Sequence, residues 1–459
     1  MKTDTIAAIA TAMAGSGIGI VRISGEEAVS ITDQIFHMPG GKKLSDMETH
    51  TIHYGHIRDG EEVIDEVMVL LMRGPRSYTR EDTVEIDCHG GVYVMKRILE
   101  TVIKYGARPA EPGEFTKRAF LNGRIDLSQA ESVIDVISAK NEFALKSSMK
   151  QLSGAVSDAV KEIRGEILHE IAFIESALDD PEHISLDGYG ERLELTIEGA
   201  VDRIEKLLAS SDNGRILKEG ISTVIVGKPN AGKSSLLNTL LGEERAIVTE
   251  IAGTTRDVLE EQINLNGIIL NIIDTAGIRD TDDIVEKIGV DKARKYVKDA
   301  DLILYVVDAS TNLDENDGEI MELLHGRRTI VLLNKSDLTP LTTAEDIRVH
   351  VDKDCPVISI SAREQKGIDV FTEQIRKMFF RGEVTFNDEV YITNIRHKTA
   401  LQEALSSLHL VEQSIADGMP EDFYSIDLMN VYEVLGTIIG EAVEDDLVNE
   451  IFSKFCMGK

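Results

Sequence analysis

The segment with the most informative chemistry is the stretch 227–234, which reads Gly-Lys-Pro-Asn-Ala-Gly-Lys-Ser. It follows an apolar run at 221–226 and precedes a helical pattern at 235–241. Between a strand and a helix, glycines let backbone N–H groups approach an anion, and the helix N-terminus and the lysine both favour negative charge. The stretch therefore predicts a phosphate-binding loop, with Ser234 placed to hold Mg²⁺. An ordinary glycine turn would not explain the presence of both Lys233 and Ser234.

Two motifs downstream could contact the rest of a bound triphosphate. The tetrapeptide Asp-Thr-Ala-Gly occupies 274–277, at the end of an apolar run. There Asp274 can reach Mg²⁺ through water, and the N–H of Gly277 can sense a γ-phosphate. Between this motif and the loop lies the polar stretch Gly-Thr-Thr-Arg-Asp at 253–257. Its Thr255 is a candidate second Mg²⁺ ligand, available only when the segment closes on a triphosphate.

A further motif predicts which base is bound. Asn-Lys-Ser-Asp at 334–337 again follows an apolar run. The carboxylate of Asp337 can accept hydrogen bonds from guanine N1–H and the 2-amino group, whereas adenine offers neither donor and would leave the charge unpaired. A backbone N–H of the next loop, Ser-Ala-Arg at 361–363, could meet guanine O6. The order of these motifs indicates a GTP-specific P-loop fold.

The chain lacks the glutamine with which Ras-like GTPases orient the attacking water. That glutamine follows the Asp-x-x-Gly motif, and the corresponding residue here is Ile278. Four carboxylates come next, those of Asp280, Asp282, Asp283 and Glu286. One of them could position water, although such an acidic run is usually a solvated face. The residues alone leave the choice open.

Composition narrows the class of protein. A chain of 459 residues is long enough for about three domains. With 49 Lys and Arg against 81 Asp and Glu, the net charge is −32, which argues against a general affinity for nucleic acid. The three cysteines lie far apart, which argues against a zinc site or a disulfide framework and fits a reducing compartment.

The N-terminus does not read as a secretory signal. Its apolar stretch at 6–14 is preceded by a single lysine, Lys2, which Asp4 counters. No apolar run approaches the roughly 20 residues that a membrane span needs. We therefore expect a cytoplasmic protein.

Periodicity divides the chain into regions. Strands are predicted at 18–23, 67–72 and 83–87, and a helix at 92–105. Helical patterning runs from about residue 126 to 178 and again over 192–211, and Ser128 with Glu131 suggests a capping box at its start. Strands at 221–226, 268–273, 302–308, 329–333 and 357–361 alternate with helices, and helical patterning returns after about residue 385. The simplest architecture inserts an α/β domain into a helical domain made of two segments.

One neighbouring pair could suggest a thiol nucleophile. Cys88 and His89 are adjacent in a predicted strand, and adjacent strand residues point to opposite faces. A catalytic dyad is therefore not expected.

Several segments together resemble the MnmE (TrmE) family of tRNA-modification GTPases. They are 227–235, 249–257 and 274–277, the N-terminal stretches 19–25 and 112–122, and the C-terminal Phe-Cys-Met-Gly-Lys at 455–459. The resemblance covers the whole chain. Its most discriminating parts are the C-terminal Cys-x-Gly-Lys and the Pro-Gly-Glu-Phe at 112–115, because other GTPases share the GTP-binding domain.

The resemblance implies a multidomain α/β and α fold. A folate-binding, dimerising α+β domain would occupy 1–122, and a helical domain would comprise 123–217 and 383–459, with a Ras-like P-loop GTPase domain inserted at 218–382. It also implies a homodimer that works with the flavoprotein MnmG. Together they would add an aminomethyl or carboxymethylaminomethyl group to C5 of the wobble uridine of certain tRNAs. The one-carbon donor would be 5-formyl-tetrahydrofolate or a related tetrahydrofolate, and the partner would supply FAD and NADH.

The resemblance also assigns roles to individual residues. Mg²⁺ would be held by Ser234 and Thr255, and K⁺ by the side chains of Asn230 and Thr254 and the backbone oxygens of Thr249 and Ile251. Glu286 falls on the family's water-orienting glutamate, and Arg22, Glu85, Arg124 and Lys459 would bind folate. The residues implied to bind GTP are Asn230, Ala231, Gly232, Lys233, Ser234, Ser235, Thr249, Glu250, Ile251, Ala252, Gly253, Thr254, Thr255, Asp274, Thr275, Ala276, Gly277, Asn334, Lys335, Asp337, Ser361 and Ala362.

Two other readings compete with a K⁺-dependent GTPase of tRNA modification. An Era-like ribosome-assembly GTPase would need a basic RNA-binding appendage, against which the net charge of −32 and the acidic segment 441–450 speak. A signalling switch would act by dimerising alone. We expect the isolated chain to bind tRNA weakly and the partner to supply most of the positive surface.

Overall fold

A computed structural model of the chain describes residues 4–243, 261–273, 300–380, 392–441, 448, 451–453, 455 and 458. The chain divides into two compact units. The first comprises residues 1–137, 149–202 and 399–459, and the second comprises 138–148 and 203–398. The domain boundaries that we predict after residues 122, 217 and 382 stay a prediction.

The first unit contains a seven-stranded sheet with the order β3-β4-β5-β6-β2-β1-β7. All neighbouring strands are antiparallel except β1 and β7. One face packs on helices α1 (Ala28–Ile35) and α2 (Val92–Lys104) and forms an aliphatic core. The strands are β1 (Ile6–Ile9), β2 (Ile18–Ser24), β3 (Phe36–His37), β4 (Thr51–Asp59), β5 (Glu62–Met72), β6 (Thr83–His89) and β7 (Arg108–Pro109).

Helices complete the first unit. They are α3 (Glu114–Leu121), α4 (Leu127–Ser138), α5 (Glu142–Leu152), α6 (Ala155–Asp179), α7 (Tyr189–Glu219), α12 (Ile395–Ala416) and α13 (Glu421–Ile439), of which α4, α5, α7 and α12 also contribute residues to the second unit. Helices α6 and α13 are far apart in sequence but pack together. The Nε of Arg164 donates to the carbonyl of Tyr432 at 3.0 Å, and its guanidinium lies 4.0 Å from the Tyr432 ring centroid. This contact confirms the predicted helical domain built from two segments.

The capping box at the start of α4 differs from our prediction. The side chain of Asp126 accepts from the Gln129 amide at 3.0 Å, and the Gln129 side chain accepts from the Asp126 amide at 3.0 Å. The reciprocal pair is therefore Asp126 with Gln129, and the predicted pair Ser128 with Glu131 is wrong. The hydroxyl of Ser128 instead donates to Asp126 at 2.6 Å. Both pairs have the required spacing, and the helix start two residues earlier decides between them.

The second unit is built on a six-stranded sheet with the order β13-β12-β11-β8-β10-β9. Its strands are β8 (Ile221–Val226), β9 (Glu261–Leu265), β10 (Ile268–Ile272), β11 (Leu302–Asp308), β12 (Thr329–Asn334) and β13 (Val357–Ser359). All neighbours are parallel except β9, which pairs antiparallel with β10. Strands β11 and β12 are buried along their whole length, as expected for a parallel sheet with both faces covered.

The remaining helices of the second unit flank this sheet. They are α8 (Lys233–Glu243), α9 (Glu315–Leu324), α10 (Ala344–Arg348) and α11 (Ile368–Phe380). One apolar cluster packs α8 and α11 on one side of the strands, and another packs α9 on the opposite side. The carboxyl ends of the parallel strands then meet at one edge, where such folds bind ligands.

A buried ionic cluster joins α3 to the rest of the first unit. Arg118 lies 3.0 Å from Glu81 and 3.1 Å from Glu114, and Arg108 donates to Glu114 at 2.8 Å. Burial alone would raise the pKa of Glu114, but hydrogen bonds from Arg108, the Glu111 amide and Arg118 outweigh it and hold the pKa below its ordinary value of 4.5. The ionised carboxylate therefore stabilises the folded state.

Glu114→Gln is expected to destabilise the first unit by about 2 kcal/mol at pH 7, because the buried guanidinium of Arg118 and the partly exposed one of Arg108 lose their shared anion. The folded-state pKa of Glu114 is lowered, so its contribution is complete above about pH 4.5 and is lost as pH falls through the folded value. Urea unfolding should thus show a difference between wild type and variant that shrinks on acidification. The exposed Glu111→Gln serves as the control, and a difference that persists unchanged at low pH would contradict the assignment.

Candidate functional sites

The predicted phosphate-binding loop lies between β8 and α8, as its sequence context requires. Two glycines are needed for steric reasons. A Cβ on Gly227 would lie 2.4 Å from the carbonyl oxygen of Val306, and one on Gly232 would lie 2.1 Å from Asn334 Nδ2. Both glycines also have positive φ, of 153° and 100°. The loop can therefore approach its neighbours this closely only without side chains at these positions.

Asn334 joins the loop to the predicted base-binding segment. It ends β12 and is 2% exposed. Its Nδ2 donates to the carbonyl of Ala231 at 2.9 Å, while its Oδ1 accepts from the amide of Ala362 at 3.1 Å. Thr239 of α8 adds a second link by donating to the carbonyl of Ala362 at 2.7 Å. The structure thus brings the loop and the segment 361–362 together at one edge of the sheet.

The side chain of Lys233 is hydrogen-bonded to the backbone of the phosphate-binding loop. Its Nζ donates to the carbonyls of Gly227 at 2.8 Å and Lys228 at 2.7 Å. Burial lowers the pKa of Lys233, because the loss of water disfavours the charged ammonium. A phosphate anion would supply a countercharge.

Three residues with predicted roles in the loop and at its end are open to solvent. Asn230, with φ of 60°, is exposed at the turn. Ser234 and Ser235 lie in the first turn of α8 and are exposed. A hydroxyl at a helix N-terminus, beside a loop for anions, is a suitable oxygen ligand for Mg²⁺.

The predicted base-reading carboxylate is held in place by the neighbouring loop. Asp337 accepts from the hydroxyl of Ser361 at 2.7 Å. This hydrogen bond is the main reason why the pKa of Asp337 is lowered, so the group is an anion at neutral pH and can accept two hydrogen bonds. Ser361 itself is fully buried, and its hydroxyl also accepts from the Glu364 amide at 3.2 Å.

Lys335 has a partner that the sequence did not reveal. Its Nζ lies 2.5 Å from Asp308, which ends β11, and its backbone has a positive φ of 65°. Burial alone would raise the pKa of Asp308, but Lys335 and Ser310 outweigh it and lower the pKa. A carboxylate at the end of a buried strand could have indicated this contact, because the carboxyl ends of parallel strands lie at one edge of the sheet.

Part of the predicted nucleotide site lies outside the described residues. This applies to Glu286 and to two runs, Thr249, Glu250, Ile251, Ala252, Gly253, Thr254 and Thr255, and Asp274, Thr275, Ala276 and Gly277. Their assignments stay predictions.

The predicted folate-binding residues form a second cluster, in the first unit. Arg22 donates to Glu85 at 2.6 Å across the pairing of β2 with β6, and its Nη1 donates to the carbonyl of Gly458 at 3.0 Å. The guanidinium of Arg124 lies 4.4 Å from the Tyr78 ring centroid, and that of Arg22 lies 5.4 Å from the same ring. Three of the four predicted residues are therefore neighbours, while Lys459 lies outside the described residues.

Cys88 and His89 form no dyad, as expected. Cys88 is buried and donates to the carbonyl of Gly19 at 3.3 Å, and burial raises the pKa of its thiol to about 11. The His89 ring pairs with Asp65 at 2.7 Å, which raises the pKa of the imidazole. A thiol with this pKa is not a nucleophile at neutral pH.

Two kinds of feature are absent from the described residues. They contain no group of three or more His, Cys, Asp or Glu side chains arranged to hold a metal ion. Among the helices in the described ranges, none combines the length and apolar character needed to cross a bilayer.

Family comparisons agree along the whole chain. Residues 5–124 match the GTP-binding protein TrmE N-terminus, and residues 127–456 match the MnmE helical domain. The tRNA modification GTPase MnmE of Lachnoclostridium phytofermentans is 61% identical, with 100% of both chains covered. Its counterparts in Clostridioides difficile and Bacillus subtilis are 50% and 47% identical, and each alignment covers 99% of this chain and at least 99% of the relative.

One solved structure, the G domain of the T. maritima FeoB iron transporter, aligns with 35% of this chain and 98% of its own length. Its identity of 21% and TM-score of 0.26 are too low to support a conclusion. The full-length relatives and the two domain matches are sufficient to assign the family without this structure. The chain belongs to the MnmE family of tRNA modification GTPases.

Proposed function

We propose that this protein is a K⁺-activated GTPase that acts with the flavoprotein MnmG on tRNA. The pair would add an aminomethyl or carboxymethylaminomethyl group to C5 of the wobble uridine, with 5-formyl-tetrahydrofolate or a related tetrahydrofolate as one-carbon donor. Support comes from the relatives named tRNA modification GTPase MnmE, which match this chain over its full length. FAD and NADH would enter through the partner, and the protein would be a cytoplasmic homodimer.

The observation that carries the nucleotide assignment is the fixed carboxylate of Asp337 beside the buried loop of Ser361 and Ala362. Asn334 ties this loop to the phosphate-binding loop through Ala231. The acceptor for the guanine edge and the cradle for the phosphates are therefore held in one rigid frame. A nucleotide that spans both would gain from this preorganisation, because little of the site must be ordered on binding.

Divalent metal would be held by Ser234 and Thr255. The Ser234 hydroxyl suits Mg²⁺, which prefers oxygen ligands and usually combines one or two protein ligands with phosphate oxygens and water. Bound Mg²⁺ would neutralise charge on the β- and γ-phosphates. Lys233, whose lowered pKa reflects burial, would provide the second positive charge.

Monovalent metal would be held next to the same loop. Asn230 is exposed at its turn, and the Asn230 amide oxygen, the Thr254 hydroxyl and the backbone oxygens of Thr249 and Ile251 form a hard oxygen set suited to K⁺. A fixed cation there would stabilise charge that develops in the transition state. Glu286 would orient the attacking water in place of the missing glutamine.

Folate would bind at the cluster of Arg22, Glu85 and Arg124, with Lys459. Glutamyl carboxylates of the ligand could pair with the cations, and donors of its pterin ring could meet Glu85. Tyr78 adds an aromatic ring, whose centroid lies 5.4 Å from the Arg22 guanidinium and 4.4 Å from that of Arg124. The site would thus offer charges of both signs and a stacking surface.

RNA would be contacted mainly through the partner. The net charge of −32 opposes binding to a polyanion, and most non-specific affinity for nucleic acid comes from contacts between basic side chains and phosphates. Tight binding of tRNA by the isolated chain at physiological salt would contradict this part of the proposal.

Asp337→Asn tests the base assignment. GTP affinity should fall about 100-fold, because one acceptor oxygen is replaced by a donor that faces the 2-amino group. Affinity for XTP should rise, since the new amide can donate to the 2-oxo group of xanthine. Calorimetry with GTP, XTP and ATP gives the three constants, with the exposed Asp354→Asn as the control. Unchanged GTP affinity, or stronger binding of ATP by the wild type, would refute the assignment.

Hydrolysis should depend on both K⁺ and Glu286. In single-turnover assays, replacing K⁺ by Na⁺ should slow the wild type about 100-fold, the usual effect of losing one transition-state-stabilising group. Glu286→Ala should be slow in both salts while its affinity for GTP is unchanged. Equal wild-type rates in the two salts would reject the ion mechanism, and full turnover by the variant would reject the role of Glu286.

Arg22→Met tests the folate site independently. The variant should bind 5-formyl-tetrahydrofolate at least about tenfold more weakly, because a charge-assisted contact is lost, while GTP turnover stays unchanged. Arg97→Met is a matched control, since Arg97 pairs with Glu62 at 3.1 Å in the same unit. Equal folate affinity of the two variants would show that the Arg22–Glu85 pair is only structural.

A further inference from the structure

The side chain of Lys228, the second residue of the phosphate-binding loop, contacts a neighbouring helix. Its Nζ lies 2.6 Å from Asp317 Oδ2 and 2.9 Å from Asp314 Oδ2. Both carboxylates belong to the N-terminal turn of α9, where Asp314 is the N-cap and Asp317 completes a capping box. No sequence motif predicts a contact between this loop and α9.

Asp317 is buried, which separates this contact from an ordinary surface ion pair. Its residue is 1% exposed, and each oxygen has a partner. Oδ1 accepts from the hydroxyl of Tyr305 at 2.8 Å, and Oδ2 accepts from the Asp314 amide at 3.0 Å as well as from Lys228. Tyr305 is fully buried in the central strand β11. Lys228 thus supplies the positive charge for a carboxylate whose position is already fixed.

Fixing the Lys228 side chain also fixes the backbone that Lys233 uses. The carbonyl of Lys228 accepts from Lys233 Nζ at 2.7 Å and from the Ala231 amide at 3.3 Å. Burial alone would lower the pKa of Lys228, but hydrogen bonds to Asp317 and Asp314 outweigh it and raise the pKa. The ammonium therefore stays charged and committed to these carboxylates.

We propose that Lys228, Asp317 and Tyr305 form a brace that positions the phosphate-binding loop for nucleotide, so that Lys228 is a positioning residue and not a phosphate ligand. The brace anchors the amino-terminal half of the loop to α9 and β11. Asn334 anchors the other half through Ala231. Because both halves are held, the loop need not become ordered when phosphates bind. The smaller loss of conformational entropy increases the affinity.

The brace predicts a pattern of binding losses that a γ-phosphate ligand would not produce. The loop would contact phosphates common to GTP and GDP, so loosening it should weaken the binding of both nucleotides by the same factor. A lysine that contacts the γ-phosphate would weaken GTP more than GDP.

The test compares Lys228→Met, Lys228→Arg, Asp317→Asn and the Lys228→Met/Asp317→Asn double variant. Lys104→Met is the control, since Lys104 pairs with Asp59 at 2.7 Å on the first unit. We expect Lys228→Met to raise Kd for GTP and GDP equally, about tenfold, and Lys228→Arg to restore part of the lost affinity. The double variant should be no worse than the weaker-binding single variant, because both changes break one contact.

Tyr305→Phe keeps the test decisive if Asp317→Asn does not fold. It removes one hydroxyl and should raise both Kd values about threefold, with a circular dichroism spectrum like that of the wild type. Unchanged Kd values for folded Lys228→Met would overturn the brace and leave only a cap on α9. A loss confined to GTP, or a fall in kcat without a change in Kd, would instead assign Lys228 to the phosphates or to the chemical step.

Discussion

The carboxamide of Asn334 is the contact on which the nucleotide site depends. It is buried, and it satisfies one backbone acceptor of the phosphate loop and one backbone donor of the base loop at once. A carboxamide offers a donor and an acceptor in one fixed plane. The contact also dictates its neighbour, because Gly232 faces Nδ2 so closely that a Cβ would lie 2.1 Å away. A glycine and an asparagine about a hundred residues apart in sequence are therefore one structural unit.

Strand β11 links the two halves of this site to the interior of the sheet. It lies between β8 and β12 and is buried throughout. Tyr305 in its centre reaches the phosphate loop through Asp317, and Asp308 at its end pairs with Lys335 beside the base-reading segment. The polar groups of a strand that is otherwise aliphatic thus hold Lys228 and Lys335, one in the phosphate-binding loop and one in the Asn-Lys-Ser-Asp motif. Burial holds these ion pairs together, because breaking one would leave a buried carboxylate without its cation, at a large cost in free energy.

Local patterns predicted much of this architecture, and long-range contacts explain what they did not predict. The parallel strands were predicted within two residues because buried apolar runs bounded by turns are a local signal. The phosphate-binding loop and the Asn-Lys-Ser-Asp motif could be recognised in the sequence because their predicted chemistry needs residues at fixed spacing. Strands β1, β3, β4, β7 and β9 were not predicted. Strands β3 and β7 have only two residues each, and β9 is a partly polar edge strand. The pairing of Lys228 with Asp317 joins distant segments through burial, which no spacing rule encodes.

The C-terminal glycine shows how a motif at one end of the chain can be specified by a sheet at the other. Gly458 has a positive φ of 96°, and a Cβ there would lie 2.5 Å from the carbonyl oxygen of Ile9. Its carbonyl accepts from Arg22, which also holds Glu85. Phe452 and Phe455 pack beside Gly113, where a Cβ would lie 2.6 Å from the Phe452 carbonyl oxygen. Gly113 therefore faces the C-terminal residues Phe452 and Phe455, while Gly458 faces the end of β1. Each position needs a glycine because atoms of another segment occupy the space of a side chain.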